Sequence, residues 1–209
     1  MASVVIIDYN MGNLYSVRQA IEHVAPKGTT ISITSDPESI RQADRIVFPG
    51  QGAARDCMRE LQTRGLAEVV KEVAMTKPFL GVCMGLQVLM EHSVENGGVD
   101  CLGIYAGGVY YFGDMHEQRL KIPQMGWNQI WQKIPHPLWE GIVDGARFYF
   151  VHSYYVQAKD ETLVSGETEY GISYATALAR DNIFAIQAHP EKSSRDGLQL
   201  LANFMRWNP

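Results

Sequence analysis

The chain has 209 residues, of which 46% are hydrophobic and 20% charged, the composition of a globular protein with one sizeable core. Its 18 basic and 23 acidic side chains give a net charge of −5 with no run of like charge, which disfavours bulk binding to nucleic acid or to an anionic membrane. The three cysteines, Cys57, Cys83 and Cys101, are odd in number and lack metal-ligand spacing, so neither a disulfide framework nor a zinc site is expected.

The opening Met-Ala-Ser-Val-Val-Ile-Ile-Asp has no basic stretch and reaches an aspartate after four apolar residues. It reads as a first strand and not as a signal peptide, and no apolar stretch approaches the length of a membrane span. A cytoplasmic, reduced protein is the expectation, with residues 1–209 as one domain.

After the strand Val4–Ile7 comes a polar turn, Asp8 to Asn13, and then Leu14, Val17, Ala20, Ile21 and Val24 recur at helical spacing until Pro26 and Gly28. Thr30 to Thr34 alternate as a strand. Asp36-Pro37-Glu38 opens a short helix with an N-cap and a proline at its first position. Arg45 to Phe48 form a third strand running into Pro49-Gly50-Gln51-Gly52. Helical patterns cover Ala53–Arg64 and Leu66–Met75, and Phe79–Val82 is a fourth strand followed by a helix from Met84 that takes in Leu86, Val88, Leu89 and Met90. Strands alternating with helices predict an α/β fold with a mostly parallel sheet and helices on both faces.

Past Gly97-Gly98 the pattern changes. Gly108–Phe112, Lys121–Trp131, Arg147–Tyr155, Thr162–Thr168 and Ile172–Ala179 read as strands and turns of an antiparallel extension. Ile183–Ala188 is a further apolar strand, and Ser194–Trp207 closes the chain as a helix. No internal repeat is visible.

Cys83 lies where the fourth strand gives way to a helix, with Gly81 and Gly85 two residues to either side. That is the spacing of a nucleophile elbow with cysteine in place of serine. The flanking glycines remove Cβ atoms that would block the tight turn, and a helix N-terminus supplies free N–H groups and positive potential that favour a thiolate. Taken alone, the same cysteine suits a buried packing role equally well.

A cysteine nucleophile needs a base and a group that orients the base. Among the six histidines, His23 and His92 read as surface or capping groups late in helices, and His116 and His136 lie in polar loops. His189 ends the strand Ile183–Ala188, and catalytic groups of open α/β sheets gather at the carboxyl ends of strands. Glu191 follows two residues later, so in extended backbone it points to the same side and can hold the imidazole. An oxyanion site is expected from the Met84 backbone N–H and the loop Gly50-Gln51-Gly52. Phosphate binding is the rival role for that loop, but no lysine follows it closely as a phosphate loop requires.

Pro78 to Gln87, together with His189-Pro190-Glu191, resembles the class I glutamine amidotransferases, over essentially the whole chain. Asp8 to Val17 and Pro123-Gln124-Met125-Gly126-Trp127-Asn128 resemble more narrowly the glutaminase subunits of imidazole glycerol phosphate synthase. Pro190 to Ser194 agrees with that narrower likeness.

The resemblance implies a flavodoxin-like sheet and hydrolysis of L-glutamine with neither metal nor organic cofactor. Cys83 would attack the side-chain amide, His189 would protonate the departing ammonia, and water would release glutamate from the thioester. By the same resemblance Gly52 and Gln87 bind substrate, and backbone groups of His152, Ser153 and Tyr154 hold its α-amino and carboxylate ends. The implied partner is a (β/α)8-barrel cyclase subunit that receives the ammonia for histidine biosynthesis, with Asn10, Asn13 and Trp127 at the interface.

Two positions depart from the common family pattern. Leu86 stands where methionine is frequent, and Gln51 where a small apolar residue is frequent, in a loop whose peptide is thought to flip when the partner carries its ligand. Three other readings compete with this one. They are a paralogous glutaminase serving another synthase such as an amidino-sugar enzyme, a non-enzymatic regulatory protein, and a cysteine peptidase.

Overall fold

Successive residues of a strand face opposite ways, and in the first strand of this chain both ways are apolar. In the computed structural model, which describes residues 2–113 and 120–209, β1 (Ser3–Ile7) sends Val4 and Ile6 into one buried cluster and Val5 and Ile7 into another. Such a strand has to be covered on both faces. On one, α1 (Leu14–Val24) packs Val17, Ala20 and Ile21 beside Leu200, Leu201 and Phe204 of α6 (Ser194–Arg206). On the other, α2 (Pro37–Gln42), α3 (Ala54–Thr63) and α4 (Ala67–Ala74) contribute Ile40, Met58, Leu61, Val69 and Val73. Capping agrees with the sequence signals: the Asn13 side chain accepts from Ser16 N at the start of α1, and Asp36 from Ser39 N at the start of α2.

β2 (Thr30–Thr34), β1, β3 (Arg45–Gly50), β4 (Phe79–Cys83) and β13 (Ile183–Ile186) lie in that order, each parallel to its neighbours. Their register matters for chemistry. Gly50 lies opposite Cys83, and Ile186 lies opposite Val82, so the residue after β13 comes level with Cys83. The antiparallel extension follows: β12 (Ser173–Arg180), β10 (Tyr154–Ala158) and β7 (Tyr105–Tyr111), with β5 (Met90–Ser93) parallel to β7 and β6 (Val99–Asp100) beside it. β11 (Val164–Glu169) pairs with β12 and with β8 (Gln124–Gln132), which forms an antiparallel ladder with β9 (Ala146–His152). Among the described residues no helix is long and apolar enough to cross a membrane.

The structure corrects the sequence reading after Cys83. The helix after Cys83 is a single turn, α5 (Met84–Gln87), and Met90 belongs to β5. Val88 and Leu89 carbonyls accept from Leu102 N and Tyr105 N, so the chain leaves the helix to join the sheet. Periodicity does not separate a buried helical segment from a buried strand in so short an apolar run. His92 is therefore an exposed strand residue and not a helix end. Within Arg147–Tyr155, part of the region read as strands and turns, the chain breaks at Ser153 between β9 and β10, which pair with different neighbours.

Gly85 lies against the backbone of β3: a Cβ added there would fall well inside contact distance of the Phe48 carbonyl oxygen. Gly85→Ala is therefore expected to lower the unfolding free energy by about 1–3 kcal/mol or more, as overpacked cores do. Urea denaturation checks this, and an unchanged midpoint would contradict so close an approach of α5 to β3.

Candidate active site

Parallel strands deliver their carboxyl ends to one edge, and here that edge carries the candidate nucleophile, base and anion loop. Cys83 ends β4 with φ 57 and ψ −109, a left-handed conformation costly for any residue with a side chain. The glycines make the turn possible: a Cβ at Gly81 would lie 2.8 Å from the Gly85 carbonyl oxygen and 3.0 Å from the Ala185 Cβ. The helix that follows is one turn long, so its dipole adds little. The backbone N–H of Met84, which opens that turn, remains in place as a donor without an acceptor inside the turn.

His189 is buried at the end of β13, anchored by its N–H to the Tyr149 carbonyl at 2.9 Å. Its Nδ1 lies 2.8 Å from Oε1 of Glu191, which is also buried. The contact arises differently from the period-two expectation. Pro190–Lys192 form a 3-10 turn, and this turn, not extended backbone, swings the Glu191 carboxylate under the ring. The turn is clamped: Ser193 Oγ donates to the His189 carbonyl at 2.6 Å and accepts from Tyr149 N at 2.9 Å. Gly197 of α6 lies so close to the Pro190 carbonyl that no Cβ fits there.

His189 Nε2 is buried without a hydrogen-bond partner, in a cavity of about 600 Å³ that it shares with Cys83. Burial is the largest single influence on the ring and favours the neutral form. The Cys83 sulfur and the Glu191 carboxylate act the opposite way and together prevail, lifting His189 from 6.5 to about 10. At neutral pH the ring is an imidazolium between a carboxylate and a sulfur, able to give up a proton as well as to have taken one. The other two thiols differ: burial pushes Cys57 and Cys101 up to about 12, which keeps them as inert thiols.

The cavity is also lined by Asn10, Gln51, Gly52, Met84, Gln87, His152, Ser153 and Tyr154. Gly50 does not line it and ends β3 opposite Cys83. A Cβ there would collide with the hydroxyl of the fully buried Tyr9 and lie 2.8 Å from Met84 Cβ. Gln51 is exposed, and its carbonyl accepts from Cys57 Sγ at 3.6 Å, with Tyr9 OH 3.9 Å behind that sulfur. Asn13 caps α1, and Trp127 lies away from the cavity on β8, edge-on to Tyr149 and 47% exposed.

His23, His92 and His136 are placed outside the cavity. His23 and His92 are exposed, and His116 lies outside the described residues. His136 is half-buried against Phe184 and Trp207 and not in an open polar loop; burial lowers it to about 4. Among the described residues no group of three or more His, Cys, Asp or Glu is disposed to hold a metal ion.

Glu95 and Lys192, which line the cavity, and Gln187, which lies beside Cys83, escaped the sequence reading. Glu95 faces the cavity while its Oε2 accepts from Ala54 N at 2.7 Å, capping α3. Nothing in the local sequence marks it, because it arrives from the loop before β6. Gln187 is fully buried and its Nε2 lies 3.6 Å from Cys83 Sγ. Its position two residues before His189 on an apolar strand was the available signal.

The charge on His189 has a consequence for stability. A value raised above 6.5 by native contacts contributes stability that is complete below about pH 6.5 and is lost as pH rises through about 10. Glu191→Gln removes part of that contribution, so the stability gap between native and variant proteins is expected to narrow from pH 6.5 to 10. Chemical denaturation across that range measures the gap, and a constant gap would contradict the charged ring.

The family description "Glutamine amidotransferase class-I" matches residues 5–207. The chain is 58% identical to "Imidazole glycerol phosphate synthase subunit HisH" of Aromatoleum aromaticum, with 100% of each chain covered. It is 56% identical to the protein of the same name from Thiobacillus denitrificans, over 99% of this chain and 92% of that one. Among solved structures it is similar to a glutamine amidotransferase with a TM-score of 0.72, 15% identity and 97% of both chains covered. It is similar also to a chain in the structure of PurLQS from Thermotoga maritima, with a TM-score of 0.71, 15% identity and 98% of both covered. At that identity the likeness to solved structures concerns the fold.

Proposed function

The chain belongs to the class I glutamine amidotransferases, and from that premise we propose that it is the glutaminase subunit of an imidazole glycerol phosphate synthase, with Cys83, His189 and Glu191 as its triad. The observation that carries the triad is the buried His189–Glu191 pair facing the strained Cys83 across one cavity. L-glutamine enters with its side-chain amide at Cys83. Gln87 and Gly52 bind it, backbone groups of His152, Ser153 and Tyr154 hold its α-carboxylate and α-amino ends, and the Glu95 carboxylate suits the α-ammonium.

The Cys83 sulfur attacks the amide carbon. The oxyanion is received by the Met84 N–H and the Gly50-Gln51-Gly52 loop. His189, already an imidazolium, gives its Nε2 proton to the leaving nitrogen; ammonia departs and a thioester remains. The neutral ring then takes a proton from water, hydroxide adds to the thioester, and glutamate and the sulfur anion are released. Glu191 keeps the ring oriented and its charge compensated through both halves.

The partner we propose is a (β/α)8-barrel cyclase subunit that consumes the ammonia. Support comes from an exposed apolar surface on β8, the strand that follows the cavity-lining Pro123. Met125 and Trp127 share one face of β8 and are 65% and 47% exposed, and the Asn10 turn reaches the cavity itself. Large apolar side chains clustered in the open mark a protein contact. Gln51, exposed in the oxyanion loop, sets how readily that loop completes the anion site when the partner is loaded.

Cys83→Ala is expected to cut glutamate release by roughly 10⁴–10⁶-fold in the reconstituted complex. Retained activity would sink the triad assignment. Trp127→Ala is expected to weaken cyclase binding about tenfold or more, as loss of an aromatic anchor does. Titration calorimetry with the cyclase reads this directly, and unaltered affinity would place the interface elsewhere.

A further inference from the structure

A chain of three side-chain and backbone contacts leads into the nucleophile from a side that the triad does not occupy. The Tyr154 carbonyl can only accept, and Gln87 lies with one amide end 3.3 Å from it, so that end is the Nε2 donor. The same Nε2 is 3.0 Å from the Gln187 amide, which must therefore present Oε1 to it. This leaves Gln187 Nε2 as the end that faces Cys83 Sγ at 3.6 Å. A backbone carbonyl thus fixes the orientation of two amides in turn, and the result is an N–H aimed at sulfur. Tyr154 O is itself held from the other side by His152 Nδ1 at 2.7 Å.

Gln187 has little freedom to do otherwise. It is fully buried, its backbone N–H donates to the Thr176 carbonyl at 2.7 Å, and the β4–β13 register brings it level with Cys83. A glutamine sealed among Ala185, Ile186 and Ala188 is costly unless its amide is bonded at both ends, and sulfur completes the second.

We propose that Gln187 is a further catalytic residue, whose side-chain amide donates a hydrogen bond to Cys83 Sγ and stabilises the sulfur anion. The inference rests on the triad reading above. When the carbon–sulfur bond forms, the electron pair leaves sulfur for the thioester and the contact weakens. When water cleaves the thioester, the pair returns to sulfur and the contact strengthens as the leaving group departs. No proton moves to or from Gln187. Its contribution is therefore to the departure of sulfur and to the share of anion in the resting site, while His189 handles every proton. Because Gln87 is bonded to the same amide, occupancy of the substrate site and the orientation of this donor are linked.

The test is the variant Gln187→Met, close in volume and without a donor. Iodoacetamide labelling of Cys83 in the chain without glutamine is expected to slow about tenfold at neutral pH, equivalent to about 1.4 kcal/mol. Its half-maximal rate should be reached at higher pH, while the thermal midpoint stays within a few degrees. The value of kcat for glutamine in the cyclase complex should fall by a similar factor. Unchanged labelling at every pH in a folded variant overturns the proposal and leaves the triad standing. Loss of the triad reading itself is seen separately, as glutaminase activity that survives Cys83→Ala. Should Gln187→Met not fold, the native protein decides. The ¹⁵N side-chain amide signals of Gln187 should shift when Cys83 is alkylated and should titrate together with it. Signals indifferent to both events refute the contact.

Discussion

Everything at this site depends on the in-register parallel pairing of β3, β4 and β13. Hydrogen bonding across three adjacent strands makes Gly50 and Cys83 opposite partners and brings Gln187 level with them. Each strand ends at the same edge, so the Gly50-Gln51-Gly52 loop, Cys83 and His189 meet there. The pairing also makes the Cys83 backbone affordable. A side-chain residue at φ 57 costs on the order of 1–3 kcal/mol, and persists only where surrounding structure leaves no alternative. Here Gly85 admits the single turn α5 against the Phe48 backbone, and Gly81 leaves room on β4 for the Gly85 carbonyl and for Ala185.

The second requirement is electrostatic. A charge taken out of water has to be matched at short range, or the group gives up its charge. Cys57 and Cys101 have no such match and are held as thiols by burial. His189 keeps its charge in an equally buried place because a carboxylate lies 2.8 Å from one nitrogen and a sulfur shares the cavity with the other. The short turn that achieves this is itself rigid, pinned by Ser193 below and by the close approach of Gly197 on α6. A ring held in this way keeps one orientation.

The antiparallel half of the molecule builds the opposite wall. The break at Ser153 separates β9 from β10 and leaves His152, Ser153 and Tyr154 lining the cavity. Buried behind them, Tyr174 OH lies 3.2 Å from His152 Nε2 and 2.8 Å from the Gln124 amide, so the wall is tied to the first residue of β8. The next exposed residues of that strand, Met125 and Trp127, form an apolar surface outside the cavity. The cavity wall and this exposed apolar surface are therefore joined through one strand and one hydrogen-bond network.

Much of this was legible in the residues. Alternation of strand and helix signals located the parallel half, because both local periodicity and caps such as Asn13 and Asp36 are short-range properties. Gly81-Val82-Cys83-Met84-Gly85 and His189-Pro190-Glu191 marked the candidate chemistry, since elbow and turn geometry impose residue types locally. What the sequence left open was decided across the sheet. The run Val88 to Met90 became loop and strand because Leu102 and Tyr105 offered backbone partners that no window around position 88 contains. Glu191 reached His189 through a 3-10 turn set by α6 and Ser193, and Glu95 reached the cavity from a loop with no signature of its own. The sequence by itself determined which strands and turns could form and which reactive side chains they would carry. Only the tertiary structure decided that strand register would set Gln187 beside Cys83, and that burial with Glu191 would hold His189 charged, because both depend on contacts about a hundred residues apart or on the exclusion of water from the assembled core.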